Sequence, residues 1–313
     1  MNSEDTKIRI GTRGSALALA QAHETRDRLC EAHDLGEDRF EITVISTAGD
    51  RIQDRPLSEV GGKGLFSKEI EASLASGDID LAVHSTKDMA SVLPDGLEIA
   101  CYLPREDIRD AFLSPIAKSL AELPQGAIVG SSSLRRQALI KRLRPDIEVV
   151  MFRGNVQTRM EKLRRGDVAA TLLANAGLIR LGMESEITSL LEIDEFLPAP
   201  GQGAICIEIR SDDQETRSLL SKINHHETEL TIETERAFLR ALDGSCRTPI
   251  AGSARLRGDA LEFSGMILSD DGSLVYETAD QCPANLAEGR NMGANAGRLL
   301  REQAGEDFFH HWT

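Results

Sequence analysis

The sequence predicts an α/β protein of three domains: two lobes with mixed or parallel sheets, then a small α+β domain with an antiparallel sheet. Three observations carry this. Short apolar strands alternate with amphipathic helices through the first two-thirds of the chain, the pattern of sheets flanked by helices. Two segments, Leu103-Pro104-Arg105-Glu106-Asp107 and Leu197-Pro198-Ala199-Pro200-Gly201-Gln202-Gly203, read as crossings between domains. After about residue 226 the alternation stops, and a long helix precedes strands joined by the turn Asp270-Asp271-Gly272. The expected domains are 1–103 with 204–222, then 108–198, then 226–313.

In chain order, 7–12 and 41–46 read as strands around a helix at 15–33, which opens on Ser15 directly after the first strand. Residues 65–76 follow as a helix and 80–84 as a strand. The apolar stretches 127–130, 148–152 and 168–173 repeat the strand pattern, separated by helices at 133–143 and 155–165. Residues 204–209 read as buried core. The last part has helices at 228–242 and 285–303, with strands at 261–269 and 274–279 between them. Residues 49–64, polar and with four glycines, form a loop long enough to be a lid.

Composition sets limits. At 313 residues, 41% hydrophobic and 28% charged, the chain is ordinary for a globular protein with ample core. A net charge of −15 and 4% aromatic content argue against nucleic acid or an anionic membrane surface as partner. No apolar run approaches the ~18 residues of a membrane span, and the start, MNSEDTKIRIGTRGS, lacks the pattern of a secretory signal. Five cysteines, odd in number and without C-x-x-C spacing, suggest neither zinc nor a disulfide framework. His225-His226 and His310-His311 lack partners at ligand spacing, so no metal is expected. The cytoplasm fits best, and nothing demands more than a monomer.

Within this acidic chain, residues 131–165 hold ten Arg or Lys against three Asp or Glu. Ser131-Ser132-Ser133-Leu134-Arg135-Arg136 places serines and two arginines at a helix start, where hydroxyls and free N–H groups suit an anion. Arginines there oppose the helix dipole, so an anion is expected between them and the helix start. Arg153-Gly154-Asn155-Val156-Gln157-Thr158-Arg159 repeats the theme. Gly11-Thr12-Arg13-Gly14-Ser15 sets Arg13 and Ser15 at another strand-to-helix turn.

His84-Ser85-Thr86-Lys87-Asp88 follows a strand and pairs an ammonium with a carboxylate; on these residues alone a solvated turn with a weak ion pair is the better reading. Cys246, in Asp243-Gly244-Ser245-Cys246-Arg247-Thr248-Pro249, sits on a loop beside an arginine that lowers a thiol pKa. An inert loop cysteine is the competing reading.

Together, GTRGS, GGKGLF, HSTKD, GSSSLRR, RGNVQTR, PGQGA and DGSCRTP occur in the order found in the porphobilinogen deaminase (hydroxymethylbilane synthase) family of tetrapyrrole and haem biosynthesis, which the chain resembles from about residue 10 to 250. The resemblance implies a transferase that joins four porphobilinogen units head to tail with loss of ammonia and releases hydroxymethylbilane. It implies two lobes like those of periplasmic binding proteins, an active site in the cleft between them, and a third domain carrying the cofactor cysteine. Cys246 matches the thioether attachment point of a dipyrromethane cofactor, and Asp88 the catalytic carboxylate. Arg13, Arg135, Arg136, Arg153, Arg159 and Arg180 match carboxylate-binding arginines, because a guanidinium fork holds a carboxylate bidentately. Ser15, Ser85, Ser131, Ser133, Lys63, Lys87, Gly154 and Gln202 fall at neighbouring binding positions, and Phe66 at one that packs on the cofactor. One departure stands out: Asp243-Gly244-Ser245 replaces the usual Glu-Gly-Gly, which is costly if position 245 needs a positive φ. The competing class is a non-catalytic receptor for a polyanionic small molecule on the same scaffold.

Overall fold

The structure, a computed structural model, describes residues 7–51, 64–244 and 248–309. Its described residues fall into two compact units, and elements are numbered in chain order.

The first unit comprises 7–51, 64–106 and 204–229. Its strands are β1 (Ile8–Thr12), β2 (Phe40–Val44), β3 (Leu81–Ser85), β4 (Leu97–Tyr102) and β10 (Ile205–Arg210), in the order β2-β1-β3-β10-β4. β1 runs parallel to β2 and β3, whereas β10 is antiparallel to both its neighbours. The sheet is therefore mixed, because the strand that returns from later in the chain enters against the others. The helices are α1 (Ala16–His33), α2 (Ala48–Arg51), α3 (Lys68–Ala75) and α7 (Gln214–Ser221). Ile10, Leu29, Leu81, Val83, Ile205 and Ile207 form the core between sheet and helices, each contributing on the order of 2 kcal/mol by leaving water.

The second unit comprises 107–203 and, among the described residues, 230–244 and 248–309. One sheet contains β5 (Asp110–Leu113), β6 (Ile128–Gly130), β7 (Glu148–Val150), β8 (Ala170–Ala174) and β9 (Ser189–Leu191), ordered β7-β6-β8-β5-β9. It is also mixed, with β5 antiparallel to β8 and β9. Its helices are α4 (Leu134–Leu143), α5 (Val156–Arg164) and α6 (Asn175–Arg180). A second sheet, β11 (Ile250–Arg257), β12 (Ala260–Leu268) and β13 (Val275–Pro283), is wholly antiparallel, as expected for the last domain. It packs with α8 (His226–Ala241), α9 (Leu286–Ala304) and α10 (Glu306–Phe309) around Phe238, Phe263 and Leu300. Leu268, Met266 and Val275 also join the core built on β6 and β8. The two sheets of this unit thus share apolar contacts.

The six expected helices correspond to α1, α3, α4, α5, α8 and α9, and β1, β3, β6 and β8 lie close to their expectations, whereas α2, α6, α7 and α10 were not expected. β4, β5, β9 and β11 do not stand out in the sequence. β4 and β5 flank the first crossing, where Pro104 and the charged 105–107 dominate the local signal. β9 and β5 are short strands paired only through residues distant in sequence.

Candidate active site

In the first unit, β3 ends at Ser85 and a short 3₁₀ turn, Thr86–Asp88, carries Lys87 and Asp88 out from the sheet's buried interior. Gln21, buried on α1, exchanges hydrogen bonds with Ser85 Oγ at 2.9 and 3.0 Å. Ser15 caps α1, its Oγ accepting from Ala18 N at 3.2 Å. Arg13 stands between β1 and that cap. Its Nε donates to both oxygens of Asp50, at 3.1 and 3.2 Å, its Nη2 also reaches Asp50, and its guanidinium lies 4.2 Å from the Phe66 ring centre. Burial alone would raise the Asp50 carboxyl, but hydrogen bonds from Arg13 and Thr47 outweigh it and hold it below the usual range. Arg13, Gln21, Phe66, His84, Ser85 and Asp88 line one cavity of about 20 Å³.

In the second unit, the Ser131–Ser133 turn opens α4. Ser133 Oγ accepts from Arg136 N at 3.4 Å, and Ser131 Oγ accepts from Ser133 N at 3.3 Å. An anion of the chain itself lies against these arginines. Asp110, fully buried on β5, accepts from Arg135 Nη2 at 2.7 Å and from Arg136 Nε and Nη2 at 3.1 and 2.6 Å. Arg135 Nη1 and Arg136 Nη1 donate to the carbonyls of Leu197 and Leu172. Both side chains are buried, and one carboxylate of the chain already compensates them. Burial would raise the Asp110 carboxyl, yet Arg135 and Arg136 hold it well below its ordinary range. Two guanidiniums share one carboxylate, so a positive charge remains, and the buried Nε of Arg135 has no hydrogen-bond partner. That surplus suits a carboxylate-bearing group such as dipyrromethane.

Gln202 Nε2 donates to the same Asp110 at 3.1 Å and to Ile108 O at 2.7 Å, which ties the Pro/Gly segment to β5. Gly201 N donates to the buried Glu235 at 2.6 Å. Gly154 adopts φ 126°, and Arg159 Nε donates to its carbonyl at 2.9 Å. Arg153 is half-buried beside it, and Arg180 Nη2 donates to Gly203 O at 3.0 Å. Lys63, Cys246, Ser245 and most of the 49–64 loop lie outside the described residues. Next to them, the non-glycine residue with positive φ is Asp243, at 52°, where α8 ends.

The expected residues therefore gather in two groups. Arg13, Phe66, Ser85 and Asp88 share a cavity in the first unit; Arg135, Arg136 and Gln202 share Asp110 in the second. Sequence reasoning missed Gln21, Asp50, His84, Asp110 and Glu208. Glu208 carries a readable signal, a lone carboxylate within the apolar strand Ile205–Arg210. Among the described residues no helix is long and apolar enough to cross a membrane, and no three His, Cys, Asp or Glu are grouped to hold a metal.

Two family models match: the porphobilinogen deaminase dipyrromethane cofactor binding domain over residues 8–218, and the porphobilinogen deaminase C-terminal domain over residues 229–302. A relative from Nitrobacter hamburgensis, porphobilinogen deaminase, is 56% identical over 305 residues, covering 97% of this chain and 96% of its own. Among solved structures, a nutrient-binding protein from Burkholderia cenocepacia bound to methionine aligns at 15% identity and TM-score 0.43, over 68% of this chain and 90% of that one. The VFT2 domain of BvgS from Bordetella pertussis aligns at 17% and 0.41, over 70% and 85%. Likenesses this distant carry no argument. Fold and sequence define an α/β transferase. The chain belongs to the porphobilinogen deaminase family.

Proposed function

We propose that this chain polymerises four porphobilinogen units head to tail with loss of ammonia and releases hydroxymethylbilane, working as a cytoplasmic monomer. The observation that carries the reading is the shared cavity of Arg13, Phe66, Ser85 and Asp88 in a chain of this family. Dipyrromethane, once bound through a thioether to Cys246, supplies a covalent primer that the new rings extend. The chain's own side chains do the rest. Arg13, Arg153, Arg159, Arg180 and the surplus charge of Arg135 and Arg136 bind acetate and propionate groups, with Ser15, Ser131, Ser133, Lys63, Lys87, Gly154 and Gln202 assisting. Phe66 packs on the primer. Asp88 stabilises the cation left when the substrate's amine departs, and moves protons at its carboxylate.

Three domains, 1–103 with 204–222, 108–198, and 226–313, form part of the proposal. The mixed sheets and the separate antiparallel sheet support it. The test is an intact mass of purified protein with peptide mapping around Cys246, alongside porphobilinogen consumption. We expect the mass of two linked pyrroles on that cysteine. We also expect Asp88→Asn to retain it while turnover falls about 10²–10⁴-fold. A chain with no pyrrole on Cys246 and no consumption of porphobilinogen would overturn the reading.

A further inference from the structure

Behind the Asp88 turn lies a group of ionisable side chains that the mechanism above leaves idle. His84 Nε2, on β3, lies 3.0 Å from Glu208 Oε2, on β10, and the two side chains are 5% and 0% exposed. The register explains the meeting. Cys206 faces His84 across the antiparallel pair, so Glu208, two residues on, stands diagonal to the ring on the same sheet face. The second oxygen of Glu208, Oε1, is buried without a partner, as is Oε1 of Glu71, which approaches from α3. Burial, opposed first by Ser67 and then by His84 and Lys68 and aided by the Glu208 charge, holds the Glu71 carboxyl above its usual range.

A fully buried carboxylate with one partner is strongly disfavoured unless that partner brings a proton. The His84–Glu208 pair therefore holds a proton between them. With Nε2 engaged by Glu208, Nδ1 is the ring nitrogen left for the cavity, which His84 and Asp88 line together. Its volume of about 20 Å³ exceeds the roughly 10–15 Å³ that a water needs, and Gln21, Ser85 and Asp88 provide polar partners. Arg13 adds the remaining charge that lines this cavity.

We infer that Glu208, His84, one water and Asp88 form a proton relay, in which His84 is the positioning residue for the water and Glu208 is the inner terminus. The inference rests on the reading of Asp88 as the reacting carboxylate. Each head-to-tail joining replaces a ring C–H bond by a C–C bond and sheds ammonia. One proton is thus released per ring and finally leaves on ammonia as ammonium. A proton taken by Asp88 passes through the water to His84 Nδ1 while the Nε2 proton moves to Glu208. The reverse movement returns it. Only protons move, and the ring ends in the same charge state.

Two measurements on the full-length protein test this. Glu208→Gln keeps the shape and a hydrogen bond but removes the proton acceptor, so kcat should fall about 10²-fold with KM unchanged. In the ¹⁵N spectrum of the His84 side chain, Asp88→Asn should move the Nδ1 resonance and leave Nε2 in place. An unchanged kcat in Glu208→Gln overturns the relay, and so does an Nδ1 resonance indifferent to Asp88→Asn. If Glu208→Gln does not fold, the Nδ1 response alone decides. Loss of turnover in Asp88→Asn without an Nδ1 response sinks the relay and keeps the proposed function. An Nδ1 response with full turnover sinks the function and keeps the coupling.

Discussion

The Arg136 guanidinium donates Nε and Nη2 to a single oxygen of Asp110, at 3.1 and 2.6 Å, which leaves the other oxygen to Arg135. One fully buried carboxylate thus organises both arginines of the α4 turn. The arrangement explains how two cations tolerate a helix start, and why breaking it is expensive.

Replacing Asp110 by Asn leaves two buried guanidiniums without their counter-charge. Stability should drop by about 3–5 kcal/mol, measured by urea denaturation at neutral pH. The sign with pH follows from the depressed carboxyl. Because the folded value lies below the unfolded value of about 4, the stabilisation is complete above that pH and fades as pH falls through the folded value. The parent chain should therefore lose stability more steeply than Asp110→Asn under acid. Parallel acid profiles would remove Asp110 from this role.

Gly272 sits at φ 70° in the β12–β13 turn, and a Cβ there would lie 2.3 Å from the carbonyl oxygen of Ala138 on α4. Gly258 also has positive φ, 59°, but nothing within 4 Å of its Cβ position. Gly258→Ala should cost about 1 kcal/mol for conformation alone. Gly272→Ala should cost about 1–3 kcal/mol, since backbone must move. Equal losses in thermal unfolding would mean that the hairpin does not press on the arginine-bearing helix.

Cys101 and Cys206 are 1% and 0% exposed, and burial pushes the Cys101 thiol up. Burial raises Cys30 and Cys282 as well, though both are only half-buried. Iodoacetamide at mildly alkaline pH should spare Cys101 and Cys206 in the native protein and modify them after denaturation. Rapid native labelling of either would show that the first unit's core opens far more readily than its packing implies.

Helices were legible where Ser15 and Ser133 open them, and Asp88 was legible because it follows a strand end. What stayed hidden depends on pairing across the sequence. Nothing in Arg109-Asp110-Ala111 announces that a carboxylate will sit under arginines 25 and 26 positions later. The charge argument at Arg135 and Arg136 did detect that an anion was required. It gave no sign that Asp110 would stand against both. Likewise, the alternation of strands and helices implied mixed or parallel sheets without showing which strands run antiparallel, because the entry of β10 and β5 is a property of topology. Lys87 and Arg153 were singled out by motif.

The placement of β10 has a consequence for synthesis on the ribosome. This strand lies between β3 and β4, yet it is translated more than 100 residues after either. The nascent first unit must emerge with two strand edges, those of β3 and β4, still open. It waits while the whole of the 107–203 segment is made, and only then receives the strand that closes it and brings Glu208 to His84. Exposed edges of this kind invite mispairing, so this family member's dependence on helper proteins should be set by the interval between Tyr102 and Ile205 rather than by its total length.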